Sequence, residues 1–162
     1  MGPTCDNSAK PAGNCASWGC GYNAYSNGNK NFYGPGSTFK VDTTKPFTVV
    51  TQFVTANNTD NGTLTQINRF YVQNGKKIAN PNTNVSGLSG FSSMTDANCA
   101  SQAKATGSTD YFASAGGLKS MGKSLQSGMV MSLCLWDDPS SSMLWLDSAP
   151  NGPCSASSGK WW

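Results

Sequence analysis

A chain of 162 residues suits one domain and can bury about 70% of the surface its unfolded form exposes. Only 12% of residues are charged, and the net charge of +3 is spread out, so no basic block points to nucleic acid. No apolar run nears the roughly 18 residues of a membrane span, and with neither His nor Glu present a zinc hydrolase site and a Ser-His triad are excluded within the chain.

All eight acidic residues are Asp, so any acid–base pair would have to be two aspartates. Gly, Ser, Thr and Asn are abundant and helix-forming runs are scarce, the composition of a turn-rich, all-β extracellular protein. Six cysteines (5, 15, 20, 99, 134 and 154) read as disulfides in an oxidising compartment. Asn57-Asn58-Thr59, Asn61-Gly62-Thr63 and Asn84-Val85-Ser86 are acceptor sequons, consistent with secretion. Met1-Gly2-Pro3-Thr4-Cys5 has neither the basic start nor the apolar core of a signal peptide, so the expected true N-terminus lies upstream.

In chain order, residues 1 to 31 read as a cysteine-stapled loop, with Cys5–Cys15 the local bridge its spacing suggests. Phe32-Tyr33-Gly34-Pro35-Gly36 marks a tight turn, since Pro presets one backbone angle and Gly permits positive φ. A short strand is expected from Ser37 to Val41, and a longer one over Phe47 to Val54, rich in β-branched and aromatic residues. Thr55 to Thr65 is a polar excursion. Gln66 to Gln73 is the next strand, and Asn74-Gly75 signals a hairpin into Lys76-Lys77-Ile78. Residues 79 to 113 read as long and irregular, closed by Cys99. Leu118, Met121 and Leu125 recur at helical intervals, which predicts one short helix over Gly117 to Ser127. From Asn151 the tail is loop, and its terminal Trp161-Trp162 gives that end a cut look.

Gly128 to Ser148 organises the rest. Its first arm alternates Met129, Met131, Leu133 and Leu135 with Val130, Ser132, Cys134 and Trp136, as a strand does. It breaks at Asp138-Pro139-Ser140-Ser141-Ser142, and a second arm follows from Met143 to Asp147. If the oily faces of the arms coincide, Trp136 and Trp145 project together from the opposite side, beside Asp137 or Asp147. Indoles and carboxylates side by side suit a carbohydrate cleft, the flat ring covering a sugar face and the polar groups fixing its orientation. Parity alone favours the other reading, in which both tryptophans fill a second core layer.

Family resemblance decides between them. Leu135-Trp136-Asp137-Asp138 and Met143-Leu144-Trp145-Leu146-Asp147-Ser148 resemble the glycoside hydrolase family 7 cellulases, secreted cellobiohydrolases and endoglucanases that cleave cellulose. So do four other ordered blocks: Asn29 to Gly36, Val41 to Phe53, Ile67 to Gly75 and Gly117 to Val130, with Gly152-Pro153-Cys154-Ser155 following. The resemblance implies a concanavalin-like antiparallel β-jelly-roll sandwich, of which residues 1–162 are the C-terminal part of the catalytic domain. It implies cellulose or cello-oligosaccharide as partner, no cofactor or metal, secretion, and a monomer when complete. Trp136 and Trp145 become sugar platforms on either side of the scissile bond, with Asp137 a hydrogen-bonding neighbour. Asp138, next to Pro139, reads as a turn residue.

Departures from the family are informative. Its catalytic E-x-D-x-x-E strand lies before the region this chain covers. Retaining hydrolysis needs two carboxyl groups roughly 5 to 5.5 Å apart, whereas Asp137 and Asp138 are neighbours that a strand would point opposite ways. The enzyme is therefore implied by kinship and the chain alone is expected to be inert. Gly21 and Ser26 replace an Asp and an Arg that help bind product in the family. The loop from Ser148 to Cys154 is short, as in endoglucanases, while the segment from Cys99 to Gly116 is long, as in cellobiohydrolases. By resemblance Cys20 pairs with Cys99 and Cys154 with a cysteine upstream; an upstream cysteine is also the alternative to Cys15 as the partner of Cys5. Cys134, a small apolar residue inside its strand, reads as a buried free thiol. Two rival readings remain: a non-catalytic glucan-binding sandwich, and a structural secreted β protein with core tryptophans.

Overall fold

A computed structural model describes residues 19–149, 152–155 and 157. The Cys5–Cys15 bridge and the Trp161-Trp162 end lie outside the described residues. Two short strands come first, β1 (Tyr33–Gly34) and β2 (Val41–Asp42), paired in parallel. The expected strand from Ser37 to Val41 is found only at its last residue, because residues 37–40 are spent turning the chain back. At Gly34 an added Cβ would stand 2.5 Å from the Phe39 ring, which would have to shift.

Asp42 pins this turn. Its Oδ1 accepts from Gly36 N at 2.7 Å, from Thr44 N at 3.0 Å and from the Thr44 hydroxyl at 2.6 Å. Lys45 Nζ lies 3.4 Å from Oδ2. The Gln73 carboxamide closes a two-way bond with the Asp42 backbone, accepting from N at 3.0 Å and donating to O at 2.8 Å. Led by the Thr44 hydroxyl, with Thr44 N, Gly36 N and Lys45 behind it, the donors to the carboxylate hold the Asp42 carboxyl down at about 2.

The main sheet is antiparallel, in the order β3 (Thr48–Thr55), β4 (Leu64–Gln73), β5 (Lys76–Ala79). Both long strands fall where their β-branched and aromatic residues predict. Asn74 (φ 52°) and Gly75 (φ 71°) turn the chain with both angles positive, the twist that matches a two-residue hairpin. Phe32, Tyr33 and Phe47 gather their rings within 6.0 Å of Tyr71, edge-on or tilted, joining the turn to the sheet.

The stretch expected to be irregular contains β6 (Asn84–Val85), β7 (Leu88–Ser89), α1 (Asp96–Thr106) and α2 (Tyr111–Ser114). Thr95 caps α1 by accepting from Asn98 N at 3.1 Å, and Gly107 ends it in the left-handed region at φ 65°. The Cys20–Cys99 disulfide forms as expected. The predicted short helix is α3 (Gly117–Gln126), with Leu118 fully buried and Gly122 laid against Leu64 of β4. Asp96 Oδ1 accepts from Leu118 N at 2.9 Å, so the first turn of α1 caps α3. A single turn, α4 (Leu144–Asp147), follows. Phe32, Val41, Leu64, Leu88, Cys99 and Leu118 make the core.

Residues 128–138, read as the first arm of a hairpin, form no strand. Val130 is 93% exposed, Leu133 88% and Leu135 102%, so among the described residues no neighbour covers these side chains on either face. An alternating pattern specifies a strand only against a partner that takes up its backbone groups and covers its oily side. Cys134, expected to be a buried free thiol, is free but exposed for the same reason.

Candidate functional site

The site is built where this extended segment meets the turn after it. The second arm is the single helical turn α4, entered through Ser142 (φ 52°) and Met143 (φ 60°). Two consecutive non-glycine residues in the left-handed region cost on the order of 1 kcal/mol or more each, and such strain persists only where its surroundings hold it. Here it swings Trp145 back over the preceding residues.

Asp138 holds the arrangement. Its Oδ1 accepts from Ser140 N at 3.1 Å, Ser141 N at 3.2 Å and the Ser140 hydroxyl at 2.5 Å. Its Oδ2 accepts from the Ser141 hydroxyl, and from Trp145 Nε1 at 3.0 Å. The two serine hydroxyls foremost, then the indole N–H, hold the Asp138 carboxyl well below the usual carboxylate range. A carboxylate so bound stays ionised and has no proton to give, so it cannot act as a general acid.

Trp136 and Trp145 meet edge to face, ring centroids 6.2 Å apart and planes at 75°. Both are exposed. With Asp137, Asp138, Pro139 and Ser140 they line an open groove of about 530 Å³. The structure therefore brings Trp136, Trp145 and Asp137 to one place, as the sequence suggested. It differs in two respects. The indoles touch, so no sugar fits between them, whereas platforms flanking a bond need a sugar's width; the helical turn, replacing a second strand, draws Trp145 in. And Asp138, read as a turn residue, is both the turn and the anchor of Trp145, while Asp137 is exposed at the groove wall. The Asp-Pro-Ser-Ser run was the available signal, since an Asp followed by serines caps its own turn.

Chemically the groove offers two indole surfaces and the Asp137 carboxylate to a hydroxyl-rich ring, while the Asp138 carboxylate is taken up by its own turn and Trp145. No general acid stands opposite a nucleophile in it.

The sequence model of glycosyl hydrolase family 7 matches residues 1–160. An endo-beta-1,4-glucanase, celB, of Emericella nidulans is 45% identical over 155 residues, covering 96% of this chain and 34% of that protein. Among solved structures, a GH7 family cellobiohydrolase from Daphnia pulex superposes with a TM-score of 0.77 at 44% identity, over 84% of this chain and 33% of that one. The Humicola insolens endocellulase EGI gives 0.76 at 38% identity, over 88% and 34%. The chain thus spans about a third of the length of the relatives it matches.

Proposed function

Since this chain belongs to glycosyl hydrolase family 7 and is part of a jelly-roll β-sandwich of that family, we propose that residues 1–162 are the C-terminal part of the catalytic domain of a secreted cellulase. The whole protein hydrolyses β-1,4-glucosidic bonds of cellulose with retention, as a monomer outside the cell, without a cofactor. This part supplies a wall of the substrate groove. Trp136 and Trp145 cover sugar faces, Asp137 hydrogen-bonds sugar hydroxyls, and Asp138 fixes the Trp145 indole. The nucleophile and acid/base come from the rest of the protein, because this chain has no Glu and its adjacent aspartates cannot straddle a sugar.

The observation that carries this reading is the exposed indole pair with an ionised, donor-saturated carboxylate beneath it. The test uses the full-length protein. Soluble cello-oligosaccharide should quench or shift its tryptophan emission, and the newly released reducing end should carry the β configuration by NMR. Trp136→Ala should weaken binding about tenfold, the order of 1 to 2 kcal/mol that losing one stacked aromatic costs. Unchanged affinity in both Trp136→Ala and Trp145→Ala would remove the platforms from the groove.

A further inference from the structure

The loop between β3 and β4, residues 56–63, lies apart from the groove just described and carries two of the three sequons. The asparagines at 57, 61 and 84 are all exposed, but their surroundings differ. Asn57 Oδ1 accepts from Thr59 N at 3.3 Å and from the Thr59 hydroxyl at 2.9 Å. It also lies against Gly62, where an added Cβ would stand 2.0 Å from that oxygen, so the Asn57 carboxamide is folded into its own loop. Asn84 sits in β6, its N–H donating to Asn27 O at 2.8 Å and its carbonyl packed on Gly28. Neighbours crowd the backbone there.

Asn61 has neither constraint. Its carboxamide makes no hydrogen bond among the described residues, while the backbone around it is fixed. Gly62 N donates to Thr59 O at 3.0 Å, Ala56 N to Thr63 O at 2.9 Å, and Gln126 Nε2 of α3 to Gly62 O at 3.3 Å. Between this loop and α3 runs an open groove of about 580 Å³, lined in part by Asn58, Thr59, Asp60, Asn61, Leu125 and Gln126. Its volume is in the range of small-ligand sites, and its lining suits one apolar sugar edge and several hydroxyls.

Resting on the secretion reading above, we propose that Asn61 is the N-glycosylated residue of this chain, with the first N-acetylglucosamine lying in the groove against α3. In the transfer, Asn61 Nδ2 attacks C1 of the N-acetylglucosamine that ends a lipid-pyrophosphate oligosaccharide. The C1–N bond forms and the C1–O bond breaks. Pyrophosphate leaves with the electron pair, and a base of the oligosaccharyltransferase takes the Nδ2 proton. Nothing is oxidised or reduced.

The experiment uses full-length protein expressed through a eukaryotic secretory pathway. Its glycopeptides are cleaved by a glycoamidase in heavy-oxygen water and sequenced by mass spectrometry, fragment ions separating position 57 from position 61. The expected result is heavy-oxygen aspartate at position 61 in most molecules and at 57 and 84 in few. Asn61→Gln should migrate one glycan lighter with cellodextrin hydrolysis unchanged. Secreted protein unlabelled at 61, or labelled at 57 instead, overturns the site and leaves secretion standing. Protein retained inside the cell and unlabelled at all three overturns secretion, and the site with it.

Discussion

Asp137 and Asp138 are chemically identical neighbours with opposite fates. Asp137 is exposed at the groove wall and its oxygens take no hydrogen bond among the described residues, while Asp138 receives five donors and orients an indole. Replacing Asp138 with Ala removes the acceptor for Trp145 Nε1 and the support for the left-handed residues after it. In the full-length protein the KM for a cello-oligosaccharide should rise by about three- to tenfold, with Asp138→Asn between Ala and wild type. Equal KM values across the three would show that Trp145 needs no such anchor. Asp42 gives a pH prediction of definite sign. Its folded carboxyl is lowered from 3.8 to about 2, so the unfolded chain binds that proton first as pH falls. The stabilisation is complete above about pH 4 and is lost on going down toward pH 2. Thermal melts of Asp42→Asn over that window should lose part of the acid dependence seen in the wild type.

Among the elements, α3 rests on β4 through a single missing side chain. A Cβ at Gly122 would meet Leu64 Cβ at 2.7 Å. Ala is favoured over Gly in a helix by about 1 kcal/mol, while overpacking costs roughly 1 to 3 kcal/mol against an atom held by strand backbone. Gly122→Ala should therefore destabilise by about 1 kcal/mol, read as a lower urea midpoint at unchanged slope. The Cys20–Cys99 bridge spans 79 residues. Removing both sulfurs should cost on the order of 4 kcal/mol by loop-closure entropy, visible as a large drop in Tm. The hairpin β4–β5 and helix α3 were legible because their signals are local: Asn-Gly for a turn with two positive angles, apolar residues every three or four positions for a buried stripe. Helix α1 was not. DANCASQAKAT has no apolar stripe, and what it buries is Asn98 and Cys99. Only its caps, Thr95 and Gly107, marked it. The alternation over 128–136 is a strand's pattern without a formed strand, because a strand's partner is not written in its own residues. The groove residues were legible through family resemblance; the contact between the two indoles, set by a helical turn, was not.

At the scale of the molecule, the chain leaves a long oily segment uncovered while its true core holds six apolar side chains among the described residues. Val49 and Phe53 on β3 are half exposed as well, and β3 is an edge of its sheet. Surfaces of this kind invite strand pairing with other copies. Expressed by itself, the 162-residue chain should bind an apolar-surface dye and form soluble aggregates, and it should release no sugar from cellulose. The full-length protein should do neither of the first two and should release sugar. A monodisperse, dye-silent fragment would mean that residues 128–136 find cover within the chain. Because Cys20 is bonded to the first turn of α1, every element from β1 to β7 hangs inside one covalent ring. A protease that cuts any single peptide bond between the two cysteines opens that ring without freeing a piece. Under proteolysis such a nicked molecule keeps its parts at one another's side, and the wound shows only once a reductant lets them part.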